Sequence, residues 1–171
     1  VHRNFHHFYK IGSTNVEAME SASAGAPEGS VFVAEEQIAG RGRGAHQWDS
    51  AASAGIYCSV VLRPALPPSE ALVLSLAAGL AVHSSVQQVG PGVSPDLKWP
   101  NDLLLNGRKA GGVLVEMARA QDGAAAGVFG VGINGAVREF PPELRASARS
   151  LWVGCGDPGA RASPYKQACA I

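Results

Sequence analysis

Charge is sparse in this sequence. Lysine plus arginine and aspartate plus glutamate number 14 each among 171 residues, so no net field draws the chain to nucleic acid or to an anionic membrane. Any polyanion it binds is small and held locally. Cysteine is sparse as well: Cys58, Cys155 and Cys169 are odd in number and contain no C-x-x-C pair. That argues against a disulfide framework and a zinc site, and makes a reducing cytoplasm the simpler home. His2, His6, His7, His46 and His83 lack metal-ligand spacing, so no protein-borne metal site is read. The Walker pattern is absent, and no basic n-region with an apolar h-region opens the chain. Long uninterrupted hydrophobic runs are missing too. The most apolar stretch, EALVLSLAAGLAVHSSVQQVG, is broken by Ser75, His83 and Ser84 and reads as a buried helix rather than a membrane span.

What is present is a 46% hydrophobic chain of one-domain length, enough for a sizeable core. It starts at Val1 without methionine and ends in PYKQACAI without a recognisable last element, so it is expected to be a fragment. FHHFYKI reads as a strand, and STNVEAMESAS as a helix with a T-x-x-E capping box from Thr14 to Glu17. SVFVAEE and GIYCSVVL are strands flanking a glycine-arginine loop. Ser69 is the expected N-cap of the long helix, which Gly90, Pro91 and Gly92 stop. DLKW is a short strand, NDLLLNGRKAGGVLVEM a hairpin turning at Asn106-Gly107, and GVFGVGI a strand. With the hairpin counted once, six strand segments and two helices do not alternate as βαβ units. The expectation is an α+β domain with a mostly antiparallel or mixed sheet backed by helices. Residues 1–140 form the domain on this reading. Residues 141–171 form a tail, a short helix followed by irregular, truncated chain.

Chemistry concentrates in a few places. In AGRGRGAHQW, glycines let main-chain N–H groups approach an anion and arginine forks match phosphate oxygens, so the loop suits a small phosphate-bearing ligand; a solvated hairpin loop is the plain alternative. Gly40, Gly42 and Ala45 formally fit the dinucleotide fingerprint, but HQWDSAASAG is a poor helix and no acidic residue follows about 20 positions on. LKWPNDLLLNGRKAGG gathers Lys98, Trp99, Asn101, Asp102, Arg108 and Lys109. Pro100 and the Asn106-Gly107 turn could bring an amine, a carboxamide and a carboxylate together, unless this is a solvated hairpin with Trp99 plugging the core. GVGIN lets sheet backbone approach a ligand and ends on Asn134. STN offers Ser13, Thr14 and Asn15 at a helix N-terminus, equally a plain cap and a site for an acceptor-rich group.

In this order, STN, AEEQIAGRGRGAHQW, KWPNDLLLNGRKAGGVLVE and GVGIN resemble the catalytic domain of biotin protein ligases over roughly residues 9 to 135. The combination G-R-G-R-x-x-x-x-W, K-W-P-N-D and K-x-x-G carries the resemblance. It implies the fold of class II aminoacyl-tRNA synthetases and lipoate ligases. It also implies a reaction in which biotin and ATP with Mg²⁺ give biotinyl-5′-AMP, and the biotinyl group passes to a lysine of a carboxylase's biotin carrier domain. The family's biotin-contacting positions fall on Ser13, Thr14, Asn15, Gln37, Gly40, Arg41, Gly42, Arg43, Lys109, Gly111 and Gly112. Its ATP-contacting positions fall on Arg41, Arg43, Trp48, Lys98, Asn101, Lys109 and Asn134. Lys109, Arg43 and Asp102 are the candidate catalytic residues, Asp102 for orienting or deprotonating the acceptor amine. The loop is expected to order over bound ligand, and a homodimer is left open.

Bacterial members usually read G-R-G-R-x-G-R-x-W, whereas Gly44, Ala45 and His46 follow Arg43 here, so the loop's charge is lower; Gly135 replaces a commoner β-branched residue or asparagine. Neither the family's C-terminal β-barrel nor its winged helix is recognised, so no repressor role is expected. The rival readings are a lipoate or octanoate ligase, which would carry R-R-x-x-G-G-G at the loop, a biotin-binding domain without catalysis, and a nicotinamide oxidoreductase.

Overall fold

A computed structural model of the chain describes residues 4–44, 46–64, 71–90, 92–119 and 125–151. Ser69, Pro91 and the tail beyond Leu151, with expectations attached to each, lie outside the described residues. The described elements run β1 Phe5–Ile11, α1 Thr14–Ser23, β2 Val31–Gln37, β3 Gly55–Leu62, α2 Ala71–Val89, β4 Asp96–Lys98, β5 Asp102–Leu105, β6 Arg108–Arg119 and β7 Ala125–Asn134. The expected hairpin resolves into β5 and β6, so seven strands form the sheet, in the order β1-β2-β3-β7-β6-β5-β4. Only β1 and β2 are parallel, because α1 is the crossover between them; every other pair is antiparallel. Asn106 (φ 50) and Gly107 (φ 74) both occupy the left-handed region, as a two-residue turn joining β5 to β6 requires.

Side-chain alternation divides the sheet into two cores. Phe32, Val61 and Val128 share one face through the ladder and bury against Ala18 and Ala22 of α1. Ile133, of opposite parity to Val128 on β7, faces the other way and packs with Leu103, Leu105, Ala110 and Leu151 beneath Val82 and Val86 of α2. Each fully buried aliphatic or aromatic side chain contributes about 1.5–3 kcal/mol by leaving water, so this burial holds both helices to the sheet.

Two local expectations are corrected. The T-x-x-E capping box does not form: Ser13 is the N-cap, without a side-chain cap bond. The Thr14 N–H and hydroxyl instead both donate to Gln37 Oε1, at 2.8 and 3.1 Å. A strand residue 23 positions away thus satisfies the otherwise free N–H of the first helical residue. The α2 helix is not buried. Leu72 (47%), Val73 (55%), Leu76 (39%) and Leu80 (58%) face outward, and by length and composition Leu72–Val89 would suffice to cross a membrane. The helix is nonetheless tied into the sheet layer through Val82 and Val86, and His83 Nε2 lies 3.0 Å from the Pro95 carbonyl oxygen ahead of β4.

Candidate active site

The α1 face of the sheet becomes a cavity floor where β3, β7 and β6 run side by side. Ladder partners Ser59 and Gly130, Leu114 and Gly130, and Gly112 and Gly132 bring their α-carbons to one patch lining the cavity. Glycine is required there by close approach. A Cβ on Gly130 would collide with Asn15 Oδ1, and one on Gly132 would fall 2.5 Å from Trp48 Cε2.

One end of the cavity is neutral and hydrogen-bonded. The completely buried Ser59 hydroxyl lies 2.9 Å from Thr14 Oγ1 and 2.8 Å from Asn15 Oδ1. Gln37 accepts from Thr14, and its Nε2 donates to Ser50 Oγ at 2.8 Å, which fixes the amide's orientation. Asn15 Nδ2 donates to Glu116 Oε2 at 2.7 Å, and the other oxygen, Oε1, pairs with Arg41 Nη2 at 2.8 Å. Ser13 lines the same end.

The other end is basic. Residues 39–44 and 46–48 draw together as a small hairpin, with Gly42 N donating to His46 O at 2.8 Å and Trp48 N to Gly40 O at 2.9 Å. This hairpin brings Arg41, Gly42 and Arg43 to the cavity wall. The Asn106-Gly107 turn returns Lys109 to Asp102, as the sequence leads one to expect: Nζ is 2.6 Å from Asp102 Oδ1 and 5.4 Å from the Trp48 ring centroid. Asn101 is pinned through its amide to Val113 O at 3.0 Å and through its carbonyl to Val113 N at 2.9 Å. Behind Lys109, Ser147 O accepts from its N–H at 2.7 Å and Arg149 N–H donates to its carbonyl at 2.9 Å. Residues 141–151 are therefore part of the site's support.

The two sequence clusters thus share one cavity, with Arg43 and Lys109 both on its wall. Thr14, Asn15, Gln37, Trp48, Asn101 and Gly112 line it as well. Lys98, Asp102 and Asn134 line an adjoining hollow that also reaches Trp48 and Lys109. Asn134 is buried there, its amide engaged by the Lys109 and Arg149 carbonyls at 3.3 Å each. Gly40 and Gly111 stand apart from the lining. A Cβ on Gly40 would meet Trp48 O and Ser50 Oγ, while one on Gly111 would meet Gly132 O and Leu103 on the α2 side, because adjacent strand residues point to opposite faces. Trp99 is no core plug, being 68% exposed. Gly130 and Gly132 are the glycines of GVGIN expected to bring the sheet backbone to a ligand, whereas sequence reading gave no role to Ser59 or Glu116. Their signal was a polar and a charged side chain, each inside an otherwise apolar stretch of its strand.

The site has no activated nucleophile of its own among the described residues. Burial pushes the Cys58 thiol up to about 11, so it stays neutral near pH 7. Burial, with Asp49 adding to it, also drives the Tyr57 hydroxyl above its ordinary range. Trp48 Nε1 is buried without an acceptor among the described residues. The arrangement is built to bind an acceptor-rich group at one end and negative charge at the other.

A family model for the biotin/lipoate A/B protein ligases matches residues 8–134. The chain is 39% identical over 149 residues to the bifunctional ligase/repressor BirA of Bacillus subtilis, covering 86% of this chain and 46% of that protein. It is 43% identical over 146 residues to the biotin–[acetyl-CoA-carboxylase] ligase of Mycobacterium tuberculosis, covering 83% and 52%. It thus spans about half the length of these curated relatives. Among solved structures, the biotin protein ligase from Aquifex aeolicus in complex with biotin and ATP superposes with a TM-score of 0.76 at 30% identity, over 90% of this chain and 62% of that one. The Leishmania major biotin protein ligase in complex with biotinyl-5-AMP superposes at 0.75 with 29% identity, over 98% and 71%. With a class II synthetase-like sheet, a two-ended cavity and a family match across most of the described chain, the protein belongs to the biotin/lipoate A/B protein ligase family.

Proposed function

We propose that the chain activates biotin with ATP to biotinyl-5′-AMP and transfers the biotinyl group to a lysine of a carboxylase carrier domain. The single observation that carries the reading is the shared cavity. Arg43 and Lys109, from segments far apart in sequence, line the same cavity as Ser13, Thr14, Asn15 and Gln37. Biotin's ureido ring is rich in hydrogen-bonding groups and suits the neutral end, which leaves its carboxylate toward Lys109. That carboxylate, ionised at neutral pH, attacks the α-phosphorus; a new P–O bond forms, the bond to the β-phosphate bridge breaks, and pyrophosphate leaves. The protein's work is to orient the reactants and offset their charge, a role for which loss of one donor commonly lowers the rate about 10²–10³-fold. In the second step the neutral lysine amine attacks the acyl carbon, AMP leaves, and the amine's proton departs. Asp102 is positioned to orient that amine.

Among the described residues no cluster of three His, Cys, Asp or Glu side chains could hold a metal. Mg²⁺ would be carried mainly on the nucleotide phosphates, with Asp102, paired with Lys109 at the cavity, as a carboxylate that would help to hold it. Mg²⁺ bound there supplies further neutralisation of phosphate charge. The loop and the named relatives favour biotin over lipoate. Incubation with labelled biotin or lipoate, ATP and Mg²⁺ tests the reading: biotinyl-AMP and a biotinylated carrier are expected, and a lipoyl product or none would overturn it.

A further inference from the structure

The sequence sets Arg108 beside Lys109, yet the fold sends the two side chains apart. Arg108 stands two residues before Ala110, which packs in the α2-side core, so strand alternation directs it to the face of β6 opposite Lys109. There it lines a hollow of about 490 Å³ together with Arg138, Arg145 and Arg149. No residue lines both this hollow and the cavity that holds Arg43. Four of the chain's 14 basic residues thus surround one space, in a sequence whose charges balance. Glu139 is the one carboxylate side chain on the wall, and among the described residues none of the four arginines forms an ion pair. Arg145 Nε donates to Phe140 O at 3.1 Å, which fixes its direction and leaves its terminal nitrogens for another partner. Arg149 is anchored by its backbone, its N–H donating to Lys109 O at 2.9 Å and its carbonyl accepting from Asn134 Nδ2 at 3.3 Å. Its side-chain Nε is buried and has no acceptor among the described residues. A buried donor without a partner is destabilising, and guanidinium groups around one space repel; an anion relieves both penalties.

We propose that this hollow is a binding site for a phosphoryl dianion, separate from the cavity. Planar guanidinium forks match phosphate oxygens two at a time, and four of them suit a ligand with at least two negative charges better than a single carboxylate. Arg149 Nε gains the acceptor it lacks, and Arg145, oriented by Phe140, shares the remaining oxygens with the exposed Arg108 and Arg138. Inorganic phosphate, pyrophosphate and a phosphate monoester all present the recognised group. The site stands independently of the function proposed above, since it uses none of the cavity's lining residues.

Pyrophosphate is titrated by calorimetry into a background carrying Arg43→Gln and Lys109→Ala, which strips charge from the cavity and leaves the hollow intact. One equivalent should still bind. Adding Arg138→Gln should weaken that binding about tenfold, and Arg108→Gln about tenfold again, with unaltered circular dichroism because both side chains are exposed. The Arg149 Nε–H resonance should shift as pyrophosphate saturates the wild-type protein, and sodium chloride of equal ionic strength should leave it in place. Inorganic phosphate and glycerol phosphate form parallel arms: tighter binding of the ester assigns the hollow to a phosphorylated metabolite, and tighter binding of phosphate or pyrophosphate assigns it to the free anion. Loss of all pyrophosphate binding in the Arg43→Gln, Lys109→Ala background overturns the proposal. So does an Arg149 resonance that does not move, or an affinity indifferent to Arg138→Gln and Arg108→Gln. Pyrophosphate bound at Arg149 in a wild-type protein that makes no biotinyl-AMP would sustain the hollow and overturn the ligase reading instead.

Discussion

The Trp48 indole rests directly on the α-carbon of Gly132: a methyl there would lie 2.5 Å from Cε2 and 2.8 Å from Nε1. The sheet backbone is therefore one surface of the site and the indole another, with Lys109 Nζ 5.4 Å from the ring centroid. A loop that looks free in sequence is thereby seated on the central strand.

Gly132→Ala should unseat Trp48 while leaving the sheet able to form, since alanine is tolerated in strands. We expect shifted tryptophan emission and biotin binding weakened about tenfold or more, because the indole that walls the site is forced to repack. Wild-type affinity by calorimetry would refute the arrangement.

Ser59→Ala removes the hydroxyl between Thr14 and Asn15 and leaves the Asn15 carbonyl buried without its donor. A buried unsatisfied group costs about 1–3 kcal/mol, so the urea midpoint should fall accordingly, with biotin affinity falling alongside. An unchanged midpoint would mean that water replaces the hydroxyl.

Lys109→Ala should abolish adenylate formation and spare the fold. The hydrogen bonds from Lys109 to residues 147–149 run through its backbone, which alanine retains. Biotin-dependent pyrophosphate release should drop by about 10²-fold or more with unaltered circular dichroism. A wild-type rate removes Lys109 from the reaction.

Asp102→Asn keeps the shape beside Lys109 Nζ and removes the charge. Transfer from preformed biotinyl-AMP to a carrier domain should slow more than adenylate formation does. Equal slowing of both steps would assign Asp102 to Lys109 alone.

Alkaline pH should destabilise the fold through β3. The Cys58 thiol is raised from 9.0 to about 11 on folding, so its contribution is complete below pH 9 and lost as pH climbs from 9 to 11; Tyr57 acts in the same direction. Urea midpoints measured from pH 7 to 11 should fall only above pH 9, with a shallower fall in Cys58→Ala. A midpoint that rises with pH would contradict the buried thiol.

Legibility followed the range of the interactions. The Asn106-Gly107 turn was readable because the conformation it needs is a property of two adjacent residues. The capping box at Thr14 misled because its side chain answered to Gln37, 23 residues on, rather than to Glu17. The α2 helix misled differently: apolar residues on nearly all its sides carry no periodic mark of which face meets the sheet, so outward Leu72 and Leu80 looked like core.

Element types, the hairpin and the basic, glycine-rich character of the loop belong to the chain's local chemistry, where neighbours a few residues apart decide conformation. The sharing of one cavity by Arg43 and Lys109, the support of Asn15 by Ser59, and the reach of Glu116 to Arg41 do not. Those depend on which strands lie adjacent and in what register, because a one-residue slip would turn Ser59, Gly130 and Glu116 to the opposite face. That register is set by burial of two cores at once, a property of the whole sheet that no single segment contains.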